Sequence, residues 1–170
     1  MDISRFSVDF NVRRLDKADI PRIYDLCKKN LTYYLCFPPM VTEQSIENDM
    51  KSVPPGKNLQ DKYYLGYFDE EKLVAVLDLI RNYPDENCTY IGFFMTEVTV
   101  QRAGIGSRII DELCGYLSSI GVAGIRLGWV KENEQAAYFW LKNGFRESGL
   151  CREVNGQTIV IAERRLVNGV

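Results

Sequence analysis

The chain contains no histidine. That excludes Ser-His-Asp and Cys-His hydrolysis in their usual form. A zinc site would have to be built from cysteines and carboxylates alone, and none are spaced for one, so no metal is expected. Acid–base work falls to Asp, Glu, Tyr, Lys, Cys or water. Cysteine is sparse as well: five residues, at 27, 36, 88, 114 and 151, with no C-x-x-C pair. Their scatter and odd number point to reduced thiols that mostly act as small apolar residues, and hence to a cytoplasmic setting. Basic charge is not in excess, since 21 Lys and Arg stand against 23 Asp and Glu for a net −2. Nucleic acid is therefore not an expected partner. No charged-then-apolar leader is read, and no apolar run approaches membrane-spanning length, so no membrane partner is expected either. Internal repeats and linkers are also missing. The 170 residues read as one domain with its core over about 10–166.

What is present is an alternation of strand and helix patterns. Phe10 to Leu15 reads as a short strand. Asp16 and Asp19 before Pro21 mark a helix start, and Ile20, Ile23, Tyr24 and Cys27 fall at helical spacing. The first helix is expected over about Ile20 to Lys29, with Asn30 as a left-handed C-cap. Leu31 to Pro39 is aromatic and ends in two prolines, and it is expected to be a non-helical connector. As a connector it either packs or walls a substrate pocket, with Tyr33, Tyr34 and Phe37 as the pocket candidates. Thr42 caps a second helix, stopped by Pro54-Pro55-Gly56. The polar loop that follows, to Asp61, is expected to be mobile.

Lys62 to Tyr83 reads as a β-hairpin turning at Asp69-Glu70-Glu71. Asp78 lies within its second strand. It is either solvent-facing or a buried group with a task. Base rate favours the first, and the apolar residues on both faces of the strand raise the second. Thr89 to Gly106 reads as one long strand running into a glycine turn, with a helix from Ile105. Ile105, Ile109, Ile110, Leu113, Leu117 and Ile120 make that helix's apolar stripe. Gly124 to Val130 reads as a buried strand and Asn133 to Asn143 as a short helix closed by Gly144. Arg146 to Val154 and Gln157 to Arg165 are strands joined by Asn155-Gly156. The tail from Val167 is expected not to be ordered. The pattern predicts an α/β fold: a single mixed central sheet of about six to seven strands flanked by about four helices.

Two segments carry chemistry. Gly104-Ile105-Gly106 is not a dinucleotide fingerprint, because the third glycine position is Ile109. It is not a Walker A loop, because no Gly-Lys-Ser/Thr follows. It is either a plain strand-to-helix turn or an anion site made of backbone N–H groups from Arg102 to Ser107 at a helix start. Asn133-x-x-Ala136-x-x-Phe139-Trp140-x-x-x-Gly144-Phe145 reads by itself as a capped amphipathic helix.

Together, in this order and one helix and one strand apart, the two segments resemble the GNAT superfamily of acyl-coenzyme A N-acyltransferases. Gln101-Arg102-Ala103-Gly104-Ile105-Gly106 matches that family's Q/R-x-x-G-x-G/A phosphate loop, and Asn133, Ala136, Gly144 and Phe145 match its later segment. The resemblance covers about Val12 to Arg165. It implies a sheet that is largely antiparallel with a splayed parallel pair. It implies an enzyme that moves an acetyl group from acetyl-CoA to a primary amine by direct attack in a ternary complex. It implies coenzyme A pyrophosphate on the N–H groups of Arg102 to Ser107, and a pantetheine arm along Phe94, Met95 and Thr96. Asn133 would hydrogen-bond that arm, and the main-chain N–H of Thr96 would stabilise the developing oxyanion. The family's usual proton-donating Tyr maps to Trp140, whose indole is not a proton source, and Tyr138 should face away from it. The favoured reading is that the thiolate leaves without a protein acid. Glu97 and Asp78 are the candidate bases. The acceptor is expected to enter over the first helix, the Tyr33–Pro39 connector and the Lys57–Asp61 loop. Small-molecule and peptide amines stay equally open, as do monomer and homodimer. The alternative is a non-catalytic acyl-CoA-binding or interaction module, or a fold without a cofactor.

Overall fold

The computed structural model describes residues 1–166, and the expected disordered tail lies outside the described residues. Seven strands form one sheet in the order β1-β2-β3-β4-β5-β7-β6. They are β1 Asn11–Arg14, β2 Lys62–Asp69, β3 Lys72–Arg81, β4 Cys88–Thr96, β5 Gly124–Val130, β6 Arg146–Val154 and β7 Gln157–Arg165. The helices are α1 Ile20–Cys27, α2 Leu31–Cys36, α3 Glu43–Lys51, α4 Ile105–Ser119 and α5 Glu134–Lys142. All strand pairs are antiparallel except β4–β5, which is parallel. The mixed sheet is thus the one the sequence predicts, with a fifth helix added.

That helix is α2, in the segment expected to be a non-helical connector. Pro38 and Pro39 bar only the residues just before them from helical geometry. They lie past Cys36, so they end the helix rather than forbid it. Asn30 is also not a left-handed cap: its φ is −86°. It caps through its side chain, with Nδ2 donating to the Leu26 carbonyl at 3.1 Å. Thr42 does cap α3, in a reciprocal pair of bonds with Ser45.

Strand alternation sorts the core into two layers. Leu65, Tyr67, Leu77 and Leu79 point to one face and pack with Ile109, Ile110, Leu113 and Leu117 of α4. Tyr64, Val76 and Met95 point to the other and pack with Ile20, Ile23 and Leu26 of α1 and Ile46 of α3. The predicted α4 stripe holds except at its end, where the helix stops at Ser119 and Ile120, its C-cap, is 44% exposed. At the tip of the last hairpin Asn155 has φ 50° and Gly156 φ 77°, the left-handed pair that a two-residue turn requires. β6 forms the sheet edge, and every one of its residues is exposed.

Candidate active site

The site begins where the sheet opens. β4 and β5 pair only from Cys88↔Gly124 to Ile91↔Leu127. β4 runs on to Thr96 beside β3, and β5 runs on to Val130 beside β7, so a gap widens between them. The N–H of Glu97 donates to the Val74 carbonyl at 2.9 Å. Because bonding alternates along an antiparallel ladder, Thr96 and Phe94 turn their N–H and C=O groups away from β3 and into the gap. The Thr96 carbonyl confirms this orientation. It accepts from Asn30 Nδ2 at 3.1 Å and from Gln101 Nε2 at 3.2 Å.

The long strand predicted to reach the glycine turn stops at Thr96. The reason is Glu97, whose carboxylate accepts from the Thr99 N–H at 2.7 Å and from its hydroxyl, starting a 3₁₀ turn over Val98–Val100. Capping of the turn by the Glu97 side chain offers the backbone an alternative to the strand ladder. The chain then turns through Arg102 (φ 62°) and Gly104 (φ 82°). The first bond of α4 runs from the Arg108 N–H to the Gly104 carbonyl at 3.0 Å. The N–H groups of Ile105, Gly106 and Ser107 therefore point off the helix end. A Cβ on Gly106 would lie 3.2 Å from the Phe139 ring and 3.5 Å from Thr96 Cγ2, so glycine lets α4 start hard against α5 and β4. Above Gly104 a Cβ would meet nothing within 4 Å, and Arg102 and Ala103 are exposed. The turn is an open set of donors with positive helix-end polarity. A cleft of about 610 Å³ adjoins it, lined by Ser107, Arg108, Lys142 and Arg164 among others. Gln101, the first motif residue, faces inward instead. Its Nε2 donates to Asn30 Oδ1 at 2.7 Å and ties the turn to the α1–α2 junction.

The two candidate bases have different surroundings. Glu97 is 4% exposed. Burial pushes its pKa up, but the bonds from Thr99 and from Lys29 Nζ, 3.2 Å away, outweigh it and hold the pKa below its ordinary value. Asp78 is buried beside the extra residue of a β4 bulge, since it pairs with Phe93 while Leu79 pairs with Ile91. Its Oδ2 lies 2.7 Å from Lys62 Nζ, and its Oδ1 is buried without a partner. Burial raises its pKa despite the pull of Lys62. The bulged residue is Gly92, where a Cβ would sit 2.7 Å from Asp78 Oδ2. Between the two alternatives left by the sequence, Asp78 is the buried group.

Asp78 lines a second cleft, of about 390 Å³. Tyr33 and Phe37 of α2 line it too, with Tyr64, Tyr83, Tyr90 and Phe93. Tyr34 does not. It packs edge-on against Tyr33, in the layer between α1 and the sheet. Burial lifts the Tyr33 hydroxyl to about 12, so it stays protonated near neutral pH. The α3 end supplies Asp49 and Ser52 to the cleft, and β6 supplies Arg152. The Lys57–Asp61 loop, expected to border the acceptor entrance, is not among the lining residues.

On the far side of the gap, buried Asn133 caps α5, with Oδ1 accepting from the Ala136 N–H at 2.9 Å. Trp140 is 7% exposed, its ring packed against Phe139, Phe145 and Phe94. Tyr138 is 71% exposed. Lys62, Lys29 and the reach of Asn30 to Thr96 escaped the sequence reading because each acts on a partner more than a helix turn away in sequence, and Asp49 escaped it because only the fold brings it into the cleft. Only Lys62 left a trace, as a charge opening an otherwise aromatic strand.

Among the described residues no group of three or more His, Cys, Asp and Glu side chains could hold a metal, and no helix is long and apolar enough to cross a membrane. Among curated proteins none matches the sequence significantly. Solved structures match in fold. An acetyltransferase from Thermus thermophilus is 17% identical at a TM-score of 0.73, over 94% of this chain and 98% of that one. The ribosomal-protein-S18-alanine N-acetyltransferase of Escherichia coli is 15% identical at 0.66, over 92% and 94%. The PaiA N-acetyltransferase of Thermoplasma acidophilum, solved in complex with coenzyme A, is 17% identical at 0.66, over 92% and 98%. The sequence profile of the Acetyltransferase (GNAT) family matches residues 23–145, across the open sheet, the glycine turn and α5. The chain belongs to the GNAT family of acetyltransferases.

Proposed function

We propose that the protein transfers an acetyl group from acetyl-CoA to a primary amine by direct attack of the amine on the thioester. The observation that carries this reading is the opening of β4 from β5. It leaves the main chain of Phe94 and Thr96 facing a gap, and the donor-rich turn at Arg102–Ser107 lies against the same strand end, with Gly106 beside Thr96. Acetyl-CoA supplies the activated acetyl group. The N–H groups of Ile105, Gly106 and Ser107 hold its pyrophosphate, and the edge of β4 at Phe94–Thr96 aligns its arm as an added strand would. Asn133 borders the same gap and keeps its amide N–H₂ for that arm, since its Oδ1 is used in the cap. The Thr96 N–H faces the thioester oxygen, and its position is held by the Asn30 and Gln101 bonds to the Thr96 carbonyl.

Asp78 rather than Glu97 takes the proton from the acceptor. Glu97 is occupied by Thr99 and Lys29 and held in its weakly basic form. Asp78 lines the aromatic cleft, has a buried oxygen without a partner and has a raised pKa, all of which suit a base. Trp140 packs in the core and contributes shape, so the thiolate leaves without a protein acid. A thiol of pKa ~8.5 is a fair leaving group. The test is release of free CoA thiol from acetyl-CoA across an amine panel, with a melting shift by CoA alongside. A ligand at 100 times its Kd stabilises the fold by about 2.7 kcal/mol. CoA binding without turnover on any amine would overturn acetyl transfer in favour of a binding module.

A further inference from the structure

On its α3 and sheet side the aromatic cleft carries two carboxylates, Asp49 and Asp78, against one cation, Lys62, with Arg152 of β6 opposite. Asp49 and Asp78 face Lys62 there, and Lys62 is committed to Asp78 at 2.7 Å. Asp49 is left without an ion pair among the described residues. Rings of Tyr33, Tyr64, Tyr90 and Phe93 stand around the same space. Aromatic faces and a lone carboxylate attract a cation, and a buried carboxylate oxygen without a donor favours an N–H group. Asp78 Oδ1 is such an oxygen: the residue is 9% exposed and lines the cleft, and Gly92 leaves room for the other carboxylate oxygen, Oδ2, against Lys62.

We propose that the acceptor is a small aliphatic diamine, whose first nitrogen reaches Asp78 and whose second, cationic nitrogen rests on Asp49 among the rings. This rests on the acetyl-transfer reading. The first nitrogen enters as an ammonium and gives one proton to Asp78. The neutral amine forms the N–C bond as the C–S bond breaks. The amide nitrogen then loses a second proton, and the thiolate takes one up. The products are a monoacetylated diamine and CoA thiol, with one proton released. Across the cleft, Arg152 would instead suit an acceptor bearing a carboxylate. It stands on the fully exposed edge strand β6, whereas Asp78 is built into the sheet, so the observations favour the cation.

The experiment uses the full chain with saturating acetyl-CoA and three probes of one length: 1,4-diaminobutane, butylamine and 4-aminobutanoate. The diamine is expected to exceed butylamine in kcat/KM by about tenfold, the size of one charge-assisted hydrogen bond. Asp49→Asn is expected to bring that ratio close to one, mainly through the KM for the diamine. Equal rates for diamine and monoamine, or preference for 4-aminobutanoate, overturns the proposal while leaving acetyl transfer standing. If no probe is acetylated, the melting temperature decides separately. A shift with 1,4-diaminobutane alone that is lost in Asp49→Asn supports the cation site, and absence of a shift overturns it.

Discussion

Replacing Lys62 by Met tests the electrostatics of the cleft wall. In the intact protein the Lys62 side chain is 3% exposed and Asp78 Oδ2 lies 2.7 Å from its ammonium, which also stands 5.5 Å from the Tyr64 ring. Met fills much of the aliphatic volume but brings no charge. Asp78 is then a buried carboxylate without a cation, and breaking such a pair typically costs about 3–5 kcal/mol. Protonation sets a ceiling on that cost. A carboxyl with an unfolded pKa of ~3.9 can be kept neutral in the fold for ~1.4 kcal/mol per pH unit, about 4 kcal/mol at pH 7 and about 1.5 at pH 5. Part of this is already present in the parent protein, where burial raises the Asp78 pKa despite Lys62. The variant should therefore lose roughly 3 kcal/mol at pH 7 and about 1 kcal/mol at pH 5.

The sign follows from proton counting. A raised folded pKa means the folded state binds more protons, so stability is fullest below the unfolded pKa and falls as pH rises toward the folded one. Both proteins should show this slope above about pH 4, the variant more steeply. Urea unfolding followed by tryptophan fluorescence at half-unit pH steps measures it. In Lys62→Met/Asp78→Asn the added slope should vanish. A single variant whose pH slope matches the parent, or a double variant that keeps the steep slope, would refute the reasoning.

Three further outcomes are expected. Gly92→Ala places a methyl 2.7 Å from Asp78 Oδ2 and should lower stability by about 1–3 kcal/mol, with the loss reduced in a Gly92→Ala/Asp78→Ala background, as denaturant midpoints will report. Glu97 has a lowered folded pKa, so its contribution is complete above its unfolded pKa and is lost as pH falls through the folded one; Glu97→Gln should flatten that acid limb, and identical limbs in acid titrations of the midpoint would remove the Thr99 and Lys29 bonds as its cause. Gly104 has φ 82° with open space above it, so Gly104→Ala should cost about 1 kcal/mol from backbone strain alone and weaken CoA binding in calorimetry by moving the turn's N–H groups.

Much of the fold was legible because it depends on local chemistry. Gly124–Val130 and both strands of the last hairpin lie where apolar runs and Asn155-Gly156 placed them. The helix after the glycine turn starts at Ile105 because Gly104 can adopt a left-handed backbone there. The α2 helix was missed because proline marks an end more sharply than it forbids what precedes it. The strand that stops at Thr96 was missed because a single side chain, Glu97, bends the backbone away from an unbroken apolar pattern.

By itself the sequence determined the order of the elements, the turn that offers backbone donors to an anion, and the paired motifs of an acetyltransferase. Each of these is written in residues close together in the chain. Only the tertiary structure decided where β4 leaves β5, since strand pairing depends on residues from Cys88 and Gly124 onward that share no local signal. It alone joined Lys62 to Asp78 across a hairpin and opened room for the carboxylate at Gly92. It alone turned the Gln101 side chain away from the phosphate turn toward Asn30, 71 residues distant in sequence. Backbone preferences act over a few residues, whereas a buried charge or a free main-chain N–H gains its meaning from whatever the fold brings beside it.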